Sequence, residues 1–300
     1  MRILLFGKNG QVGWELQRSL APLGNLIALD SRSLDYCGDL SNLEGLRSTV
    51  RRVKPDIIVN AAAYTSVDQA ENEPGLAYAI NAEAVSVLAH EALSLGALLL
   101  HYSTDYVFSG IGETAWHEQD SVAPLNIYGA SKLKGEIAIR TSGCKHLIIR
   151  TSWVYAARGS NFVNTIVHLA KTRETLSIVD DQIGAPTGAE LLADITAHAI
   201  CSVFRQPELG GLYHLAAAGR TSWFDYARFV LEQAEGFGAK LNITANELTA
   251  VSTAAYPTPA IRPANSRLNT QKIQAAFALH LPDWQTGVAR TVREQYERAL

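Results

Sequence analysis

Cysteine is scarce in this chain: Cys37, Cys144 and Cys201 are the whole complement in 300 residues. Isolated and odd in number, they form neither a disulfide framework nor a zinc-ligand spacing, and they fit a reducing, cytoplasmic setting. No His-rich or Cys-rich ligand set stands out. Long apolar runs are missing as well. Stretches such as Ala97–Leu100 fall far short of the ~18 residues a membrane-spanning helix needs. Charge of one sign is not concentrated anywhere. With 26 basic and 29 acidic residues and a formal net charge of -3, no block of cations offers a surface for neutralising nucleic-acid phosphates. The opening run Arg2-Ile3-Leu4-Leu5-Phe6-Gly7 reads as a buried strand entering a turn, not as a signal peptide with a cleavage site. Internal repeats and low-complexity tracts are absent too.

Hydrophobic residues make up 47% of the chain, enough for a substantial core, and the length suits one large domain or two ordinary ones. In the first half, short apolar runs alternate with longer amphipathic segments. Ile3–Phe6, Leu26–Leu29, Ile57–Asn60, Leu98–Tyr102 and Leu147–Arg150 read as buried parallel strands. Val12–Leu23, Leu43–Val53, Leu76–Ser94 and Ile127–Arg140 read as the helices between them. This alternation predicts an α/β, doubly wound parallel sheet, which binds ligands at the carboxyl ends of its strands. After about residue 150 the rhythm loosens. Leu176–Val179 predicts a strand outside the main sheet, Leu191–Val203 and Thr221–Gln233 predict helices, and Leu212–Ala216 predicts a strand returning to the sheet. Prolines 257, 259 and 263 mark a loop. The expected organisation is a sheet domain over residues 1–175 and a smaller, interleaved α/β substrate domain over 176–300.

Gly7-Lys8-Asn9-Gly10-Gln11-Val12-Gly13 lies between the first strand and the first helix. Glycines there allow a tight turn and let the backbone approach a pyrophosphate resting on the helix N-terminus. A tight βα turn could also need glycine for steric reasons alone. Asp30 ends the second strand, about 20 residues on, where a carboxylate can take the adenosine ribose hydroxyls of NAD. Arg32 stands two residues away and could take the 2′-phosphate of NADP. The two cues conflict, which predicts use of both NADH and NADPH. Asp39 and Leu40 fall where the adenine edge would lie. Ala61, Ala62 and Ala63 follow Asn60 with small side chains that would let a cofactor rest against the backbone.

Tyr128 and Lys132 are four residues apart in Tyr-Gly-Ala-Ser-Lys, one helical turn, so their Cβ atoms are about 5–6 Å apart on one face. A fixed cation there is expected to pull the phenol down from its ordinary value of about 10 and ready it for proton transfer near neutral pH. Thr104 follows the fourth strand, where its hydroxyl could hydrogen-bond a substrate carbonyl. Asp105 is next, with loop capping as its bland alternative. A proton donor joined to a dinucleotide turn points to a carbonyl reductase.

With these motifs in hand, the chain resembles the extended short-chain dehydrogenase/reductases, a Rossmann-type family whose members often act on nucleotide-linked sugars. The likeness spans nearly the whole sequence. The strings Ser103–Phe108, Arg150–Tyr155, Asp181–Thr187 and Arg262–Ser266 are similar to members that reduce a dTDP-linked 4-keto-6-deoxy sugar for surface polysaccharide supply. The resemblance implies Tyr128 as proton donor, Thr104 as a second hydroxyl on the carbonyl, and Lys132 on the nicotinamide ribose. Related dehydratases carry Asp-Glu after this threonine. Here Tyr106 follows Asp105, which argues against dehydration and leaves Asp105 for sugar hydroxyls. Trp153 is expected to pack on the sugar ring, and as an ordinary core tryptophan it would bind nothing. Arg262, and less surely Arg267, is expected to clamp the diphosphate, with a surface salt bridge as its alternative. Pro186 and Thr187 would shape a nucleotide loop. Some relatives hold magnesium between subunits through carboxylates, which makes Glu15 and Glu190 candidate ligands on exposed helix faces and suggests a homodimer. Two other readings stand beside this one. One is an epimerase that recycles a retained cofactor. The other is a non-catalytic regulatory subunit, against which the intact Tyr128 and Lys132 speak.

Overall fold

In a computed structural model, which describes residues 1–297, the five apolar runs of the first half form strands of one sheet. Residues 298–300, the last of the expected second unit, lie outside the described residues. The strands are β1 (Arg2–Phe6), β2 (Asn25–Leu29), β3 (Ile57–Asn60), β4 (Leu98–Thr104) and β5 (His146–Thr151), joined by β6 (Gly211–His214), the returning strand. Their order is β6-β5-β4-β3-β1-β2, and every pairing is parallel. The chain runs outward from β1 to β2, then crosses back to β3 on the other side. That reversal is the switch point beside which such sheets bind ligands. Phe6 pairs with Asn60 across it, so the turns after β1 and β3 emerge side by side.

The strands are mostly apolar because both faces of the sheet are covered. Side chains alternate between two cores. Ile3, Leu5, Ile57, Val59, Leu98, Leu100, Leu147 and Ile149 face one way, and Leu4, Phe6, Ile58, Leu99 and Ile148 the other. Helix α1 (Gln11–Leu20) covers the first face, α2 (Leu43–Val53) and α3 (Ala84–Leu95) the second. Helix α4 (Ile127–Ser142) is capped by Asn126, whose side chain accepts from the Gly129 N–H, and ends at Gly143 in the left-handed region.

The single helix expected over residues 76–94 is broken. A short helix, Pro74–Tyr78, passes into a π turn at Ala79–Glu83 before α3 begins. The break has a polar cause. Asn81 is buried; its amide accepts from the Tyr64 N–H and donates to the Tyr64 carbonyl and to the Ser131 hydroxyl. A regular helix would not aim that amide into the core.

The second half contributes helices α5 (Phe162–Thr172), α6 (Ala189–Arg205), α7 (Trp223–Gly236) and α8 (Trp284–Glu297). Helices α5 and α8 had no counterpart in the sequence-based expectation. They enclose a third core with α7 around Tyr155, Val163, Tyr226 and Val288. The strand expected near residue 176 is Ser177–Val179, outside the main sheet and paired with Thr249–Val251. Helix α6 instead lies on the sheet, with Leu192, Ile195 and Ile200 in the first core beside α1. The later chain thus weaves back into the earlier layer.

Candidate active site

The glycine turn is held by close backbone contacts. Gly7 has φ +88°, and a Cβ on it would lie 2.7 Å from the Ala62 nitrogen. A Cβ on Gly13 would lie 1.9 Å from the Gly7 carbonyl oxygen. Any larger residue at either place would push α1 or the turn away from the end of β3. Gly10 caps α1 without a side-chain hydrogen bond, which leaves first-turn N–H groups facing the cleft.

That cleft is lined by Gly7, Asn9, Gly10, Gln11, Val12, Asp30, Asp39, Leu40, Ala61, Ala62, Ala63, Tyr128 and Lys132. Of the expected cofactor set, Gly13 alone sits behind this surface, where its role is packing. Sequence reasoning missed Ser31, Gly38, Thr65, Ile80, Tyr102, Ser103, Thr151 and Val154, which line the same cleft. Thr151 ends β5 and Val154 follows it, much as the alanines follow β3, so position at a strand end was the signal available. Ile80 comes from the π turn and had none.

At the second strand end, the Asp30 carboxylate is already occupied. It accepts from the Asn9 amide, from the Arg32 N–H at 2.9 Å and from the Ser33 hydroxyl at 3.1 Å, with Lys8 at 3.9 Å. Partial burial works against its ionisation, but these donors hold the carboxyl below its ordinary value. Arg32 is exposed.

Tyr128 and Lys132 both line the cleft from α4, beside the end of β4. The expected acidification of Tyr128 is not found in the free chain. Burial pushes the phenol up to about 12; the Thr104 hydroxyl eases the rise and the Asp105 carboxylate adds to it. Burial also brings the Lys132 amine down to about 8, against the pull of Glu136. Both shifts run toward the neutral form for one reason, the loss of water around the charged ones. Lys132 directs its nitrogen to the Tyr102 carbonyl oxygen, 2.6 Å away, and to His101 Nε2 at 3.2 Å.

Thr104 ends β4 and is buried; its hydroxyl donates to Asp105 Oδ1 at 3.1 Å and accepts from the Tyr106 N–H. Asp105 is 2% exposed, and its Oδ2 has no hydrogen-bond partner. Burial lifts the carboxyl to about 7, less than it would without the Ser266 and Thr104 hydroxyls nearby. Thr104, Asp105 and Tyr128 are therefore brought together, with one buried carboxyl oxygen still to be satisfied.

Other expected site residues have protein partners in the ligand-free chain. Trp153, at φ +48°, stacks on Trp223 with ring centroids 3.6 Å apart and planes 14° from parallel. Gly184 packs so tightly on the indole that a Cβ would come within 2.5 Å of it. The ring belongs to the aromatic side of the third core and does not line the cleft with Tyr128. Arg262 forks onto Asp68 at 3.1 and 2.7 Å and donates to the Ala260 carbonyl. Arg267 donates through Nε to Asn265 Oδ1 at 2.8 Å. Thr187 is fully buried, with its hydroxyl on the Ala185 carbonyl.

Glu15 and Glu190 are half-buried, not exposed. The structure brings them into range of each other, and the Glu15 carboxyl is raised by burial first and by Glu190 second. Arg18 stands 3.7 Å from Glu15 and Arg290 3.7 Å from Glu190. Among the described residues, no group of three or more His, Cys, Asp or Glu side chains is arranged to hold a metal.

The family model described as the RmlD substrate binding domain matches residues 1–297. A dTDP-4-dehydrorhamnose reductase from Shigella flexneri is 60% identical over 296 residues, covering 99% of this chain and 98% of the relative. The Escherichia coli (strain K12) dTDP-4-dehydrorhamnose reductase matches at the same identity and coverage. Among solved structures, dTDP-4-dehydrorhamnose reductase from Bacillus anthracis, in complex with NADP, superposes with a TM-score of 0.87 at 37% identity, covering 98% of this chain and 99% of that one.

Proposed function

This chain belongs to the RmlD substrate binding domain family, which includes the dTDP-4-dehydrorhamnose reductases, and from that premise we propose that Tyr128, Thr104 and Lys132 carry its carbonyl chemistry. The enzyme is an NADPH-dependent oxidoreductase that reduces the 4-keto group of dTDP-6-deoxy-L-lyxo-4-hexulose to dTDP-L-rhamnose.

A nicotinamide cofactor in the cleft would supply the hydride for C4 of the sugar. The carbonyl oxygen takes its proton from the Tyr128 hydroxyl. The high pKa of the free phenol keeps that proton in place until negative charge grows on the substrate oxygen, and the Thr104 hydroxyl donates a second hydrogen bond to the same oxygen. Lys132 would hold the nicotinamide ribose and would compensate the phenolate that forms. Asp105, with its open Oδ2, takes a sugar hydroxyl. Tyr106 stands where a dehydratase has its second carboxylate, which keeps the site to reduction. Arg262, held by Asp68 and close to Tyr106, is assigned to shaping that wall, not to clamping diphosphate. Trp153 is likewise assigned to bracing the sugar side through Trp223. The substrate half of the cleft is drawn mainly from residues 176–300, with α6 and β6 returned to the cofactor half.

The single observation that carries this reading is the position of Tyr128 and Lys132 in one cleft with Gly7, Gly10 and Asp39. Its test is NADPH oxidation with a panel of dTDP- and UDP-linked 4-keto sugars. Turnover restricted to the dTDP 6-deoxy-4-keto sugar is expected; turnover of none of them defeats the reading. An epimerase that recycles its cofactor would purify with NAD⁺ attached, which an absorbance scan detects.

Two further points belong to the same proposal. Glu15 and Glu190 would share a magnesium ion with a second copy of the chain in a homodimer, since oxygen ligands suit that ion and one chain offers too few. The cytoplasm is the assigned compartment: the cysteines are free, and among the described residues no helix is long and apolar enough to cross a membrane.

A further inference from the structure

The side chain facing Lys132 from the sheet is His101, on β4, and it has no part in the chemistry above. His101, Lys132 and Asn60 are 1%, 2% and 1% exposed, so water cannot resolve a mismatch among them. Their hydrogen atoms can be placed from one fixed donor. The Ala62 backbone N–H can only donate, and it points to Asn60 Oδ1 at 3.2 Å. The other end of that amide, Nδ2, is therefore the amino group, and it faces His101 Nδ1 at 3.2 Å. An amino group opposite Nδ1 requires Nδ1 to be the bare, accepting nitrogen. In neutral imidazole the proton then sits on Nε2, and Nε2 faces Lys132 Nζ at 3.2 Å. An ammonium there would put two donors head to head in a dry site. An amine removes the conflict, since it accepts from Nε2–H and still donates to the Tyr102 carbonyl at 2.6 Å.

We infer that His101 is a positioning residue which, through a tautomer fixed by Asn60, biases Lys132 toward the neutral amine in the cofactor-free enzyme. The burial that lowers both His101 and Lys132 acts in the same direction. The remaining groups around the amine leave the outcome unchanged. Glu136, one turn along α4, is neutralised by a two-pronged pair with Arg150 of β5 and bonded by Ser103 of β4. Tyr128, one turn back, is an uncharged phenol. Binding of the dinucleotide, which brings hydroxyl acceptors to Lys132, then takes up a proton at this lysine. This consequence rests on the proposed contact between Lys132 and the cofactor; the tautomer does not.

Long-range ¹H–¹⁵N spectra of the cofactor-free protein, with the His101 signals assigned through His101→Gln, read the tautomer directly. A bare Nδ1 and a protonated Nε2 are expected. An Nδ1–H imidazole or an imidazolium overturns the inference. Asn60→Asp keeps the oxygen that Ala62 uses and replaces the amino group by an acceptor, so it should invert the tautomer; an unchanged tautomer also overturns the inference. Calorimetric titration with NADPH at pH about 9, in two buffers of different protonation enthalpy, should register uptake of roughly one proton by the wild type and little by Asn60→Asp. If the tautomer is as inferred but no proton is taken up and Lys132→Met binds NADPH like the wild type, the assigned contact between Lys132 and the cofactor fails and the role of His101 stands.

Discussion

The side-chain nitrogen of Lys132 lies 2.6 Å from the backbone carbonyl oxygen of Tyr102. A helix four residues beyond Tyr128 is thereby tied to the strand that ends in Thr104, and the two hydroxyls of the proposed proton-transfer site are fixed relative to each other. The tie also fixes where the lysine nitrogen sits, on the strand end beside the cleft, while the phenol is raised by its own burial.

Removing the phenolic hydroxyl removes the proton but little of the packing. Tyr128→Phe is expected to lower turnover by on the order of 10²–10⁴, with NADPH still bound in a fluorescence titration. Near-normal turnover would refute the role given to Tyr128.

Asp105 makes stability fall as pH rises. Its folded-state carboxyl sits near 7, above the ordinary value of 3.8, so between those values the folded chain holds a proton that the unfolded chain releases. The stabilisation is complete below about pH 4 and is lost as pH climbs through 7, on the order of 2–4 kcal/mol across the window. Thermal melts of Asp105→Asn, compared with wild type at pH 5 and 8, should lack that decline. Parallel declines in both proteins would show that another group is responsible.

Cofactor choice should rest on Lys8 and Arg32, since the Asp30 carboxylate is already capped by Asn9, Ser33 and the Arg32 N–H. The double variant Lys8→Met, Arg32→Ala is expected to weaken NADPH about tenfold while leaving NADH within about twofold. Equal losses for both cofactors would mean that neither side chain meets the 2′-phosphate.

The buried pair Glu136–Arg150, with contacts of 2.8 and 2.7 Å, should be costly to break singly. Glu136→Gln leaves a guanidinium uncompensated and is expected to cost about 3–5 kcal/mol in urea unfolding. Replacing both residues by Met should recover most of it. If Glu136→Gln costs nothing, the pair does not hold β5 to α4.

Chelation probes the carboxylates at the proposed interface. With Glu15 and Glu190 pressing their charges together, a chelator should lower dimer affinity in sedimentation, and Glu190→Gln should make it indifferent to the chelator. An unaltered association state on chelation removes the magnesium from the account.

Legibility varied by kind of feature. The six strands could be read because each is a run of apolar side chains bounded by turn formers, and burial on both faces needs nothing more. The glycine turn could be read because Gly7 and Gly13 answer to contacts made within a few residues of themselves or with the next strand end. On helix α4, the pairing of Tyr128 with Lys132 could be read from a spacing of one turn. Helices α5 and α8 were missed because their apolar stripes face each other and α7, not the main sheet, and nothing local announces a third core. The π turn was missed because its cause, Asn81, bonds to residues 17 and 50 positions away.

Taken alone, the sequence determined the sheet, the glycine turn and the pair of side chains proposed for the chemistry, since each follows from backbone sterics, burial or helical spacing within short segments. Tertiary structure decided which polar groups were already spoken for. Arg262 meets Asp68 across 194 positions, Trp153 meets Trp223, and Lys132 meets His101; such partners are set by distance in space. Tertiary structure also decided the protonation of Tyr128, Lys132 and Asp105, because a side chain's charge depends on the water left around it, and that is fixed only when the layers close.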